Sequence, residues 1–434
     1  MKKKTVGFVV LSILLLLFLY RISAGEAIDP KLPETSDISA VSGESADLQS
    51  METFPLHSFP DETGISEIPD EIRNSEIPVG EIQIEAFNNY YFTFLTAEEQ
   101  GAYAWIYNEA IQFRTYINVE SFQFEVTDIE KIVWALFSDS PELFWLDGGF
   151  SFQSDEQSGV VRIISLTGDS GNTLATKAMG DEIQTITSGM IQEANRLPTD
   201  YEKVKYFYEE IIQNTEYVFD SVNNQNIRSV FFGKKSVCAG YAKALQYLLE
   251  QAEIPCILVV GETVDGASHA WNMVRLGEQY YWVDVTWGDP VFLDHMTEDY
   301  PFEDEILSYD YLCITDEEIF RTHSLLSMHS ETLPRFYELP ACVSTDYDYY
   351  RLFEIYMDDF DPGAIKKGII ERFQSEKKEY IVKFRTRADM QKMLDEMRNG
   401  DILFDIYDSV EVEMKIYADY NEEIYRVKVY FSEV

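Results

Sequence analysis

With 434 residues, 46% of them apolar and 14% aromatic, the chain has length for two to four domains with real cores and is not disordered throughout. Asp and Glu outnumber Lys and Arg by 77 to 34, a formal charge of −43. That balance excludes nucleic acid and anionic membrane surfaces as natural partners and suits an exported protein or one that attracts cations or basic substrates.

Lys2–Lys4 precede an apolar run, Val6–Tyr20, which Arg21 ends. As a helix the run reaches roughly 22 Å against a hydrocarbon core of about 30 Å. Residues 1–24 therefore read as a signal peptide, or as an uncleaved signal-anchor that supplies the only membrane contact. In both cases the lysines stay inside and the body lies outside, extracellular or at the cell surface. Residues 25–80 are rich in Ser, Glu, Asp and Pro without sustained periodicity, a disordered acidic linker.

Residues 81–170 read as an α+β region. Thr96–Glu99 is a capping box ahead of a helix with Tyr103, Ile106, Tyr107 and Ala110 on one face. A second box, Thr127–Glu130, opens a helix that turns Ile129, Ile132, Val133 and Leu136 inward, and strands follow near Gly149–Gln153 and Val160–Leu166. Residues 171–344 begin with a linking helix, Ala175–Leu197, and a third box, Thr199–Glu202, ahead of a helix carrying Val204, Phe207, Tyr208 and Ile211.

The next helix carries the chemistry. Ser236 reads as its N-cap, with Tyr241, Leu245, Leu248 and Ala252 on one face, so Cys238 sits in the first turn. Free N–H groups and the positive end of the helix dipole favour a thiolate there, and the Cys238 N–H can face a developing oxyanion. Two strands, Ser268–Leu276 and Gln279–Thr286, are joined at Gly277–Glu278. A two-residue turn places Asp284 opposite Trp271 and sets His269 one diagonal step away on the same face. A slip of one residue would part them. The trio then reads as nucleophile Cys238, base His269 and orienting carboxylate Asp284. Cys256, in the apolar run IPCILVV, reads as a small core hydrophobe.

CAGYA at Cys238–Ala242, HAWN at His269–Asn272 and DVTWGDP at Asp284–Pro290 resemble the transglutaminase-like superfamily, whose core is shared with papain-like cysteine proteases. The resemblance extends to YLCITDEEIFRTH at Tyr311–His323 and covers roughly Tyr201–His329. It implies an α+β fold, with a papain-like catalytic core flanked by small α+β regions, and a catalytic triad at Cys238, His269 and Asp284. Members of the family include amide cross-linkers, peptidases, deglycosylating amidases and inactive binding modules.

The expected function is exported, thiol-dependent acyl transfer on protein or peptide amides through a thioester, with no cofactor. Peptidase, amidase and transglutaminase all fit. The alternative is a catalytically silent cell-surface module on the same fold. His295, His323 and His329 fall in loops or turns without paired-ligand spacing, and Asp358, Asp359 and Asp361 lack the pattern of a calcium loop, so no metal is expected. Cys238, Cys256, Cys313 and Cys342 form neither a CxxC site nor a disulfide framework, and nothing in the sequence supports a Cys313–Cys342 bridge.

Residues 345–434 read as a small α/β accessory region. Strands are expected at Tyr349–Met357 and Glu379–Arg385, helices at Ala364–Phe373 and Ala388–Met397, and a final hairpin at Val410–Ala418 and Ile424–Phe431. It carries no catalytic constellation.

Overall fold

The computed structural model describes residues 6–9, 89–155, 157–168, 173–289, 307–330, 332–375 and 379–399, with 402, 406, 409 and 414–433. The linker 25–80, His295 and all of the N-terminal segment but Val6–Val9 lie outside the described residues. Those four form strand β1 rather than part of an apolar helix, as suits a Val-Gly-Phe-Val stretch with β-branched and aromatic side chains. Among the described residues no helix is long and apolar enough to cross a membrane.

Helix α1 (Ala97–Ala110) starts at the predicted box: the Thr96 hydroxyl accepts from the Glu99 N–H and the Glu99 carboxylate from the Thr96 N–H. Strand β2 is Tyr116–Asn118. Helix α2 (Val126–Asp139) begins ahead of the predicted Thr127 box, because Glu125 and Asp128 form the reciprocal pair instead. Its Ile129, Ile132, Val133 and Leu136 are buried. Strands β3 (Leu146–Ser154) and β4 (Val161–Gly168) complete an antiparallel sheet of order β1-β3-β4-β2.

Helix α3 (Thr173–Ala194) leads to α4 (Asp200–Asn214). Thr199 caps α4 through the Glu202 N–H, but the Glu202 carboxylate accepts from the Thr199 hydroxyl rather than from its N–H, so the predicted third box is only half formed. The short strands β5 (Glu216–Tyr217) and β6 (Lys235–Ser236) pair in parallel and deliver the chain to α5 (Cys238–Gln251). Then come β7 (Cys256–Thr263), β8 (Ser268–Leu276), β9 (Gln279–Val283), β10 (Leu312–Ile314), α6 (Asp316–Ile319) and β11 (His323–Leu325). Their sheet, of order β10-β9-β8-β7-β11, is antiparallel throughout, and α5 packs on β7 and β8. This is the α+β, papain-like arrangement that the motifs imply: a helix bearing a cysteine laid on an antiparallel sheet. One apolar core runs from Tyr91 through Trp134, Leu245 and Trp271 to Tyr350, and Gln246 ties α5 to α2 by donating to the Ser138 carbonyl.

The expected strand at Tyr349–Met357 is mostly helix. Asp348 accepts the N–H groups of Tyr350 and Arg351, which starts helix α7 (Tyr349–Phe353) and leaves only β12 (Ile355–Met357) extended. Helix α8 (Pro362–Gln374), β13 (Glu379–Phe384), α9 (Arg387–Asn399), β14 (Met414–Asn421) and β15 (Arg426–Glu433) follow. The sheet order is β12-β13-β15-β14, with β12 parallel to β13, over a second core that includes Ile365, Ile369, Tyr380 and Met390. Asp361 caps α8 through the Ala364 N–H and Asp358 pairs with Arg351, so these two members of the acidic group have structural partners.

Buried charge joins this unit to the larger sheet. Lys383 of β13 is fully buried, with Nζ 2.5 Å from Glu318 of α6 and 2.6 Å from Asp348. Arg426 reaches Asp310 at 3.2 Å.

Candidate active site

Cys238 is the first residue of α5, as its sequence predicts, but Ser236 does not cap it. The Ser236 hydroxyl is committed to Ser229 Oγ at 2.6 Å and to the Asn224 carbonyl at 3.2 Å. Val237 takes the N-cap position, and no side chain caps the helix. Gly240 permits this packing: a Cβ there would lie 1.9 Å from Ser236 Oγ. The Cys238 side chain lies among Ala239, Ala242, Leu258, Val260, Ala270 and Leu326, and the residue is 4% exposed.

The predicted register of β8 and β9 holds, with Leu276 opposite Gln279 and Asn272 opposite Val283. The pairing stops at Val283, so Asp284 does not sit opposite Trp271 in the ladder. Its N–H donates instead to the Tyr311 carbonyl at 3.0 Å, and the chain turns at once into a short 3₁₀ helix, Thr286–Gly288. That turn aims the Thr286 and Trp287 N–H groups at Asp284 Oδ1, at 2.9 and 3.2 Å. The other oxygen, Oδ2, lies 2.7 Å from His269 Nε2. With Nε2 committed to the carboxylate, Nδ1 is the nitrogen left for the Cys238 thiol, which lies close enough to raise the ring's pKa.

Charge follows the geometry. Burial opposes a charged His269, but the Asp284 carboxylate, then Cys238, and hydrogen bonds to both outweigh it and raise the imidazole to about 10. For Asp284, burial pushes the carboxyl up, while His269 and then His323 bring it well below the usual carboxylate range. The pair is an imidazolium–carboxylate at neutral pH.

Two neighbours escaped the sequence reading. His323, expected in a turn, is in β11 and buried, with Nε2 3.1 Å from Asp284 Oδ2 and Nδ1 2.8 Å from Thr322 Oγ1. The one available signal was that the family-like stretch Tyr311–His323 ends on it. Tyr217 is paired with Ser236 across β5 and β6, and its phenol lies close to Cys238. Burial and then Cys238 keep that phenol protonated. Nothing in its spacing marked it.

The ligand-capable atoms of His269, Asp284 and His323 all lie within 4.8 Å of one another, the spacing of a metal site. Hydrogen bonds already account for them: both imidazoles meet one carboxylate oxygen, and two backbone N–H groups meet the other. His329 is buried in a stack with Trp134 and Tyr337, and burial and then Arg335 lower its pKa to about 3. All four cysteines are free thiols, and burial pushes those of Cys256, Cys313 and Cys342 far up.

Residues 189–286 match the model of the transglutaminase-like superfamily, a span that takes in Cys238, His269 and Asp284 and stops short of His323. Among solved structures, the chain is similar to a TGase at 16% identity, covering 29% of this chain and 41% of that one, with a TM-score of 0.23. It is also similar to the periplasmic domain of TgpA from Pseudomonas aeruginosa, at 15% identity, 29% and 53% coverage and a TM-score of 0.21. The chain thus spans only about two-fifths to half of the length of these relatives. None of the curated proteins compared matches it. The Cys-bearing helix on its antiparallel sheet, together with the matched span, shows that the chain carries a transglutaminase-like superfamily domain with an α+β, papain-like core.

Proposed function

We propose that the protein is an exported, thiol-dependent acyl-transfer enzyme acting on protein or peptide amides, with Cys238 as nucleophile, His269 as general base and acid, and Asp284 as the group that orients His269. The observation that carries this reading is the 2.7 Å contact of Asp284 Oδ2 with His269 Nε2, which leaves Nδ1 to the Cys238 thiol. His269 Nδ1 already holds the proton taken from the thiol, so sulfur attacks the amide carbon as a thiolate while Asp284 stabilises the imidazolium. The Cys238 N–H and the Tyr217 hydroxyl then donate to the substrate carbonyl oxygen as negative charge develops. The tetrahedral intermediate collapses as the imidazolium gives its proton to the departing amine, and a thioester remains. Water or an amine then attacks the thioester, passing a proton to His269, and the thiol is restored.

The net charge of −43 favours basic substrate segments and suits export to the extracellular side or cell surface. A catalytically silent surface module is the second reading, favoured by the 4% exposure of Cys238.

Alkylation with iodoacetamide between pH 4 and 9, with mass mapping of wild type, His269→Ala and Cys238→Ala, separates the two. The enzyme reading expects fast labelling at Cys238 that is lost without His269. Labelling no faster than at Cys256 supports the silent module. An amine donor then distinguishes transfer from hydrolysis by its incorporation.

A further inference from the structure

We infer that His323 is a positioning residue for the Asp284–His269 pair, donating from Nε2 to the carboxylate oxygen that His269 also uses. The inference rests on the acyl-transfer reading above and assigns a role to a residue outside the matched span. A carboxylate accepts only, so the 3.1 Å contact with Asp284 Oδ2 places the His323 proton on Nε2. The other ring nitrogen, Nδ1, lies 2.8 Å from the Thr322 hydroxyl, which is also 3.3 Å from the Ile319 carbonyl. Tyr311 donates in turn to Thr322 Oγ1 at 3.3 Å. These contacts hold both ring nitrogens of His323 in place.

The surroundings fix the ring as well as its proton. His323 contacts the rings of Trp271, Trp287 and Tyr311, at centroid distances of 4.8, 4.7 and 5.7 Å. Strand β11 can approach because β7 has Gly261 beside it: a Cβ there would lie 2.0 Å from the Ser324 carbonyl oxygen. Gly261 also pairs with His269 across β7 and β8, so the close approach falls beside the catalytic imidazole. With His323 in place, Asp284 accepts at both oxygens from two donors each, two N–H groups and two imidazoles. Its charge is held without solvent. The other titratable groups that face this network are Cys238, Tyr208, Tyr217, Tyr311 and Asp265.

A group that merely fills space and a group that donates one proton respond differently to replacement. Gln can present its amide N–H where Nε2–H stands, whereas Leu keeps the bulk and removes the donor. The test is the iodoacetamide rate at Cys238 from pH 4 to 9 in the full chain for wild type, His323→Gln and His323→Leu, beside thermal unfolding of each. A hydrogen bond to a charged group is worth roughly a tenfold change in rate or more. The proposal expects His323→Leu to label about tenfold more slowly near pH 6, with its profile displaced to higher pH, and His323→Gln to recover most of the wild-type profile. If both variants label as wild type does, or if the Gln variant is as slow as the Leu variant at equal melting temperature, the positioning role is overturned. If wild-type Cys238 itself labels no faster than Cys256, the acyl-transfer reading falls first.

Discussion

Replacing Asp284 by Asn tests the electrostatics of the site most directly. The imidazole of His269 stands at about 10 against an ordinary 6.5, and the Asp284 carboxylate is the largest contribution raising it. In the folded protein His269 keeps its proton up to about 10, whereas the unfolded chain releases it near its ordinary value. The native state therefore holds more protons across that window, and stability falls as pH rises through it; the contribution is fully present below the unfolded value. Each pKa unit is worth about 1.4 kcal/mol, so wild type should lose on the order of 3 kcal/mol from this group between pH 7 and 9.5. Asn removes the charge, and burial then opposes the protonated ring with only Cys238 against it. Its amide also sets a second donor against Nε2–H, unless His269 changes tautomer and Nδ1 ceases to accept the thiol proton. The assay is urea unfolding of both proteins at pH 7 and 9.5, with iodoacetamide rates at Cys238 in parallel. The expected result is a wild-type advantage at pH 7 that shrinks by pH 9.5, and slow labelling of the variant. A stability difference that ignores pH over this range, with unchanged labelling, would refute the ion-pair argument.

Tyr217→Phe should slow acyl transfer by roughly 10- to 100-fold through loss of an oxyanion donor while leaving alkylation of Cys238 within a few-fold, as steady-state kinetics beside labelling would show. Gly261→Ala drives a methyl into the Ser324 carbonyl and the Trp271 ring, at 2.0 and 2.5 Å. It should cost at least about 1–3 kcal/mol in urea unfolding and slow Cys238 labelling as His323 is displaced. An unaffected protein would mean that β11 moves freely. Lys383→Met strands the buried carboxylates of Glu318 and Asp348 and should destabilise by about 3–5 kcal/mol at pH 7, less at pH 5 where they take up protons. A pH-independent loss would point to packing alone.

The parts of the site legible in the sequence are those fixed by short-range rules. The two-residue link Gly277–Glu278 sets the β8–β9 register, and helical periodicity after Cys238 locates the start of α5. Local chemistry also explains several misreadings. Ser236 has the right side chain for a cap, but two partners from the preceding loop claim its hydroxyl. The aromatic run from Tyr349 favours a strand by propensity, yet Asp348 satisfies two N–H groups and starts a helix. His323 could not be placed by any local rule. Its contact with Asp284 exists because β11 pairs with β7, a strand distant in sequence that is open to it at Gly261. Tyr217 is likewise brought to Cys238 by a two-residue parallel pairing too short to leave a pattern.

The buried Lys383 has a consequence for how the molecule comes apart. Its ammonium belongs to the last sheet, whereas Glu318 lies in the helix between β10 and β11. Peeling away the C-terminal unit would leave the Glu318 carboxylate without its counter-ion, in the helix that leads into the strand carrying His323. Fraying of that unit is therefore coupled to loosening of β11, and the two should open as one cooperative block in hydrogen exchange. A fragment cut before Asp348 would lose its tail and, with it, the brace behind the candidate active site.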